Sequence, residues 1–274
     1  MKVSVIIPTM PGREALVARL LSTIPKEYET IIVGDEDLLL AAKRNKGARQ
    51  ASGDYLLFID DDNYLRADAI ANMVKHFDYG IGVMGVVAFY DDPDLKHMVA
   101  DGGSLRNYTT GFTKGLLTNN WSDELPDEIY DVDEVANAFM VRRDLFERIG
   151  GLDEENFPID LDEADLCKRI KKMGYRIVYN PFAICYHKSI TYSWVPDFRR
   201  PLNAYFMGRN RQLYQRKHLN ALSCCVYLIF FLPVFVGFYT VSLMGRKKFS
   251  LIPYFLKGVF DGLLNRRENQ FQKR

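Results

Sequence analysis

Asp60, Asp61 and Asp62 stand side by side directly after an apolar run, Tyr55 to Ile59. Three adjacent carboxylates repel one another, and nothing in folding rewards placing them at a buried strand end unless a cation or a cluster of donors meets them. Asp60 and Asp62 lie two residues apart, so both can converge on one hard cation that also grips phosphate oxygens. A solvated acidic turn is the alternative. A second acidic group, Asp162-Glu163 with Asp165, opens a helical pattern about a hundred residues later. The helix dipole favours acids in a first turn, so capping accounts for them too. The chemical reading is a carboxylate that takes a proton from a hydroxyl as that hydroxyl attacks. Three further residues complete the set: His187 after a strand, Arg44 near the end of a helix where it could meet phosphate, and Asp35 at a strand tip where it could accept from a base N–H. Each also has a plain reading, as a half-buried side chain, a helix-terminal charge and a turn cap respectively.

The elements that must position these residues read as an α/β scaffold. Val3 to Ile7 is β-branched and apolar on both faces, as a buried parallel strand should be. Pro8 ends it, and Pro11-Gly12 turns the chain into a helix, Glu14 to Thr23, with Leu16, Leu20 and Leu21 on one side. Tyr28 to Val33 is a second strand, stopped by Gly34-Asp35; a helix from about Leu38 to Gln50 follows, then a third strand, Tyr55 to Ile59. Strand–helix alternation at this spacing predicts a doubly wound sheet, whose ligands bind just beyond the carboxyl ends of the strands. Those ends carry Pro8-Thr9, Gly34-Asp35 and the aspartate triplet. Beyond them the sequence predicts a helix (Asp68 to His76), a strand (Gly82 to Phe89), a looser polar region (Asp91 to Asp127), a strand (Val135 to Val141) and a short helix (Arg143 to Ile149). An amphipathic helix (Asp162 to Met173) and two strands, Tyr175 to Tyr179 and Ala183 to His187, follow.

Composition bounds what such a scaffold can do. The 274 residues are 48% hydrophobic and 26% charged, enough for a sizeable core. Thirty-six basic against thirty-five acidic residues leave a net charge of +1, which argues against nucleic acid as a partner, since neutralising phosphates needs a basic excess. Four cysteines without a Cys-x-x-Cys pair point to a reducing compartment, or one where redox is irrelevant, and away from a zinc site. The first residues carry no secretory pattern, so the amino-terminal part is expected in the cytosol. From Leu219 to Gly245 no residue is charged. Twenty-four residues of helix at about 1.5 Å each reach roughly 36 Å, enough to cross a bilayer core. Pro233 interrupts this run, and basic residues flank both ends, so a re-entrant hairpin bent at Pro233 and a single span both remain open. A buried helical hairpin of a soluble domain is a third possibility. Phe249 to Leu264 mixes aromatics with Lys257 and Asp261 and reads as interfacial.

Taken in order, these pieces resemble a family. Val3-Ser4-Val5-Ile6-Ile7-Pro8-Thr9 is similar to the opening of the inverting nucleotide-sugar glycosyltransferases of the GT-A fold, family 2. Arg44-Asn45-x-Gly47-Ala48 through Ala51-Ser52-Gly53-Asp54-Tyr55 to Asp60-Asp61-Asp62 resembles that family's central block with its Asp-x-Asp motif. Ala138 to Arg143, and Phe146 to Gly150-Gly151-Leu152-Asp153-Glu154, resemble its acceptor-side block, and Asp162 to Arg169 its catalytic acidic motif. Gly174-Tyr175, Pro181, His187 and Arg209-Asn210 follow in the usual order, so the resemblance covers about residues 3 to 215.

The resemblance implies a GT-A fold, an α/β architecture built on a doubly wound mixed sheet, followed by a hydrophobic helical tail. Residues 1–200 would form the catalytic domain (1–95 the nucleotide-sugar half, 96–200 the acceptor half) and 201–274 the membrane-associated tail. It implies that Asp35 bonds the nucleobase, with Pro8, Thr9 and Arg13 lining the pocket. Arg44 would approach the base or diphosphate, Asp60 and Asp61 would belong to the nucleotide-sugar site, and Asp60, Asp62 and His187 would hold Mn²⁺ or Mg²⁺. An imidazole there tilts preference toward Mn²⁺. Glu163 takes the base position, with Asp162 as its neighbouring alternative, because the motif reads Asp-Glu rather than the commoner Glu-Asp. Asn137 stands where many relatives carry Gly, which would narrow the acceptor cleft, and no Gln-x-x-Arg-Trp motif of processive relatives is found, which favours single transfer. The expected partners are a UDP-, GDP- or dTDP-sugar donor, a lipid-linked or saccharide acceptor, and the cell membrane through residues 219–264, with the catalytic domain on its cytoplasmic side. A sugar nucleotidyltransferase, or an inactive membrane-tethered scaffold, is the alternative function.

Overall fold

A computed structural model describes residues 2–187 and 200–266. In its first part, β1 (Val3–Pro8), α1 (Glu14–Leu21), β2 (Glu29–Val33), α2 (Leu40–Gln50) and β3 (Tyr55–Ile59) alternate as the spacing predicts. Then come β4 (Asn63–Leu65), α3 (Ala69–His76), β5 (Ile81–Tyr90), β6 (Val99–Asp101), and β7 (Ser104–Arg106) with its partner β8 (Thr113–Gly115). β9 (Tyr130–Asp131), β10 (Ala138–Arg142), α4 (Arg143–Arg148), α5 (Asp162–Lys172) and β11 (Arg176–His187) complete it. The main sheet runs β2-β1-β3-β10-β5-β11-β4, with β6 on β5 and β9 on β11.

The order is mixed rather than all-parallel. β1 pairs in parallel with β2 and β3, whereas β10 runs antiparallel between β3 and β5. Its strand starts at Ala138, not Val135, because Asn137 sits in the left-handed region at φ 60°, which an extended chain cannot hold. The stretches read as Tyr175 to Tyr179 and Ala183 to His187 fall in one strand, β11, whose pairing with β5 shifts register between Arg176 and Ile177 and again between Asn180 and Ile184 around Pro181. Proline cannot donate to the ladder, so the chain bulges there and then resumes.

Alternation along the strands feeds two apolar layers. Val5 and Ile7 face a cluster with Leu20 of α1 and Ile70 and Met73 of α3. Ile6, Phe58 and Phe139 face another, with Ala41 and Ala48 of α2, Phe146 of α4 and Leu166 and Ile170 of α5. Helices on both faces leave the strand tips as the open end of the sheet.

By contact density the chain divides into two compact units. The sheet and its helices form one; Arg106–Thr113, Glu155–Asp162 and the residues from Arg200 onward form the other. In this second unit α6 (Pro201–His218), α7 (Ala221–Gly245) and α8 (Ile252–Leu263) pack together. α6 and α8 meet backbone to backbone: a Cβ on Gly258 would lie 2.0 Å from the Tyr205 carbonyl oxygen, and one on Gly208 2.4 Å from that of Phe255. α7 passes through Pro233 without a hairpin bend. A π-helical stretch, Tyr227–Phe231, precedes the proline, so its missing N–H falls where the hydrogen-bond pattern is already changing. Tyr227, Phe235 and Leu243 are buried, while Leu222, Ile229, Phe230, Val234, Phe238 and Val241 are exposed. α7 is long and apolar enough to cross a membrane, and 11% of its most apolar window is buried.

Candidate active site

The triplet leaves β3 in a tight turn: the Asp60 N–H donates to the Asn137 carbonyl at 3.1 Å, and the Asn63 N–H returns to the Asp60 carbonyl at 3.1 Å. Asp60 consequently turns to one arginine and Asp61 and Asp62 to another. Asp60 Oδ1 accepts from Arg44 Nη2 at 2.8 Å. Asp61 is buried, accepting from Thr9 Oγ1 at 2.6 Å and pairing with Arg13 Nη2 at 2.8 Å. Asp62 pairs with the same Arg13 nitrogen at 3.0 Å and keeps 30% of its side chain exposed, with Oδ1 3.7 Å from His187 Nε2. Strand register explains that last approach, because β11 runs antiparallel to β4 with His187 opposite Asn63.

Arg44 joins the two acidic groups. Fully buried on α2, its guanidinium donates from Nη1 to Glu163 Oε1 at 2.5 Å and from Nη2 to Asp60, with the Phe139 ring 5.5 Å away. Arg44 thus reaches a carboxylate 119 residues away in sequence as well as one 16 away. Charge-assisted bonds of this length are the strong ones, and the fork fixes direction as well as distance. Glu163 keeps 16% of its side chain exposed, whereas Asp162 beside it is fully buried.

Burial sets the electrostatics. It pushes Asp60 up to about 6, with Arg44 pulling down and Glu163 and Asp62 adding to the rise. Asp61 is raised for the same reason, against the hydrogen bond from Thr9. At the tip of β2, the bond from Lys46 Nζ, 2.5 Å from Asp35 Oδ1, holds the Asp35 carboxyl below its usual range. Pro8 ends β1 opposite Val33, and the Thr9 N–H donates to the Val33 carbonyl, so Pro8, Thr9 and the approach to Asp35 occupy adjacent strand tips.

Several groups here were not singled out from the sequence. Lys43 is buried and donates from Nζ to the Thr9 carbonyl at 2.5 Å. Asp101, on the short β6, accepts from the Tyr179 hydroxyl at 2.5 Å and from Asn137 Nδ2 at 3.4 Å; burial raises its carboxyl, and the field of His187 reaches it. Asp101 lies inside the stretch read as a loose polar region, where a three-residue strand leaves no periodicity to detect.

A divalent ion fits a pair rather than a cage. Among the described residues no three His, Cys, Asp or Glu side chains are grouped to hold a metal. Asp62 Oδ1 and His187 Nε2 lie 3.7 Å apart and are both partly exposed, so a small turn of either side chain would bring both onto one ion, whose adjacent octahedral ligands sit about 3.0 Å apart. Ions that work on diphosphates take one or two protein ligands and fill the rest with phosphate oxygens and water.

Comparison with known proteins shows the family and the fold. The family model described as "Glycosyltransferase like family 2" matches residues 14–214. A curated relative, the uncharacterized protein y4gI of Sinorhizobium fredii, is 25% identical over 160 residues; the match covers 54% of this chain and 16% of that protein. GalNAc-T7, solved with UDP, GalNAc and Mn²⁺, superposes with a TM-score of 0.55 at 14% identity over 78% of this chain and 50% of its own. The mannosyltransferase PcManGT of Pyrobaculum calidifontis, in complex with GDP-Man and Mn²⁺, gives 0.54 at 15% identity over 97% and 88%. S. aureus TarS in complex with UDP-GlcNAc gives 0.53 at 15% over 98% and 82%. The chain therefore spans about a sixth of the curated relative and half of the first of these structures. The fold is the expected one: a mixed α/β sheet of the GT-A kind, followed by an apolar helix.

Proposed function

The chain belongs to the glycosyltransferase like family 2, and from that premise we propose that it transfers one sugar, with inversion, from a nucleoside-diphosphate donor to a hydroxyl of a lipid-linked saccharide at the cytoplasmic face of a membrane. The observation that carries the reading is the single buried guanidinium of Arg44 holding Asp60 and Glu163 at 2.8 and 2.5 Å. It brings a donor-side carboxylate and a proton-accepting carboxylate to one point.

In this reading Asp35, Pro8, Thr9 and Arg13 receive the nucleoside, with Asp60 and Asp61 alongside. Asp62 and His187 are the residues that would hold Mn²⁺ or Mg²⁺, which supplies neutralisation of the charge on the departing diphosphate. Glu163 is the base rather than Asp162, since it retains exposure that Asp162 lacks. Its carboxylate takes the acceptor's hydroxyl proton; the freed oxygen bonds to the anomeric carbon, and the bond from that carbon to the diphosphate oxygen breaks on the opposite face, its electron pair leaving with the nucleotide. Arg44 aims Glu163 and sets a positive charge beside it. α7 and the exposed aromatic residues Phe249 and Phe260 beyond it are the membrane attachment.

Glu163→Gln preserves shape and the Arg44 contact while removing the base. Turnover should fall by about 10²- to 10⁴-fold, while the Mn²⁺-dependent rise in melting temperature with UDP-, GDP- or dTDP-sugars persists. A Glu163→Gln enzyme that turns over like wild type, or a wild type whose melting temperature no nucleotide sugar raises, refutes the reading.

A further inference from the structure

α7 carries no charged residue, yet it does not stand alone. It follows α6 after only Leu219 and Asn220 and runs back along that helix. The Tyr227 hydroxyl donates to Gln212 Oε1 at 3.0 Å, and the Phe235 ring, near the middle of α7, lies 4.2 Å from the buried guanidinium of Arg211. Phe235 and Leu243 share a buried cluster with Ala204 of α6 and Phe255 of α8, and the Tyr239 ring stands 5.9 Å from that of Phe255.

This packing limits how α7 can meet a bilayer. Its 25 residues reach about 37 Å, enough to cross the hydrocarbon core. Crossing would take α6 in beside it, carrying Arg209, Asn210, Arg211, Gln212 and Gln215 into the lipid, with the Arg211 charge close to the midplane. A charge is costly there. The other side of α7 is open: Leu222, Ile229, Phe230, Val234, Phe238 and Val241 are 50–76% exposed. The π-helical stretch takes up about one extra residue, which keeps Leu222 before it in line with Val234, Phe238 and Val241 after it. Charge points to what meets this face. From Pro201 to Phe260 the chain has eight Lys or Arg and no Asp or Glu, although the whole protein carries only +1. Arg216 and Lys217 precede α7 and Arg246, Lys247 and Lys248 follow it, so cations stand at both ends of the apolar face. Two copies of such a surface repel, whereas anionic headgroups neutralise it.

We infer that α7 lies in the plane of a membrane rather than across it, with its open face sunk to the acyl chains of an anionic lipid surface and its basic ends among the headgroups. The assignment rests on the membrane attachment proposed above and deepens it. Burial of the outward side chains and attraction of the flanking cations act together at such a surface, and the arginines of α6 stay on the water side. Both ends of α7 then face the same compartment.

Flotation of the full chain with vesicles tests the surface, and labelling tests the orientation. Wild type should bind vesicles of phosphatidylcholine and phosphatidylglycerol in equal parts at least about tenfold tighter than vesicles of phosphatidylcholine alone. Phe230→Ser combined with Phe238→Ser should melt like wild type in detergent and bind vesicles at least about a hundredfold more weakly. Undiminished binding by that variant, or equal binding to the two kinds of vesicle, overturns the surface. A wild type that ignores vesicles and forms a dimer the double variant dissolves gives the face to a second copy, and the membrane attachment fails with it. For orientation, Lys217→Cys and Ser250→Cys, one beyond each end of α7, are placed singly in a chain carrying Cys224→Ser and Cys225→Ser. A membrane-impermeant maleimide is then added to sealed inside-out vesicles of the producing cells. Both positions should label before detergent is added. Labelling at only one of them overturns the in-plane helix in favour of a span, with the membrane attachment intact. Labelling at neither until detergent is added keeps both ends together and sinks the cytoplasmic-face reading alone.

Discussion

Asp60→Asn keeps the shape and the hydrogen-bond acceptor facing Arg44 but removes a charge that burial opposes. In the folded protein Asp60 titrates near 6, against 3.8 for an unhindered aspartate. Two units of difference at about 1.4 kcal/mol each amount to about 3 kcal/mol. The sign follows from proton binding. Between about pH 4 and 6 the native state holds a proton that the unfolded chain has already lost, so stability falls as pH rises through that window and the full cost is present above it. Wild type should therefore lose up to about 3 kcal/mol from this group between pH 4 and 7, and Asp60→Asn should lack that component. The difference between the two proteins grows from near zero at about pH 4 to as much as about 3 kcal/mol at about pH 7, with the variant more stable. Urea unfolding of chelator-treated protein across this range reads it directly. Parallel pH profiles, or a variant less stable at pH 7, would refute the reasoning that burial costs Asp60 more than Arg44 returns. A gain in stability with loss of donor binding would mark Asp60 as a position where function outweighs folding.

Arg44→Met leaves Asp60 and Glu163 facing each other without their shared cation. Denaturant titration should show a loss of about 3–5 kcal/mol at neutral pH; a variant as stable as wild type would contradict the pairing. Gly258→Ala drives a methyl against the Tyr205 carbonyl, a backbone atom that cannot swing aside. It should destabilise by about 1–3 kcal/mol or more in thermal melts. Gly237→Ala, where no atom lies within 4 Å, serves as the neutral control.

The parts legible in the sequence are those governed by local rules. β1, β2 and β3 announce themselves by apolar runs ended by Pro8, Gly34 and the aspartates, and α5 by its amphipathic spacing. The acidic positions Asp60 and Glu163 follow from their places at element ends. What the sequence does not carry is pairing between distant elements. Nothing near position 44 says that its guanidinium will hold residue 163, and the residue expected near the end of a helix is in fact the fifth of the eleven in α2, one turn inside it. The insertion of β10 between β3 and β5 is likewise a long-range event, and Asp101 escapes notice because its strand is too short for alternation. The path of α7 through Pro233 depends on a local change of helical pitch that composition does not encode.

The irregularity in β11 sets the reach of the imidazole. Across it the strand advances from Asn180 to Ile184 while β5 advances only from Val86 to Val87, so β11 takes up three residues more than its neighbour. At about 3.3 Å per residue, a straight strand would carry His187 some 10 Å further along, past the end of β5 at Tyr90 and away from Asp62. The slack around Pro181 works as a length adjuster: shortening that detour by even one residue would slide the ring out of reach of the aspartate while leaving the rest of the sheet free to assemble.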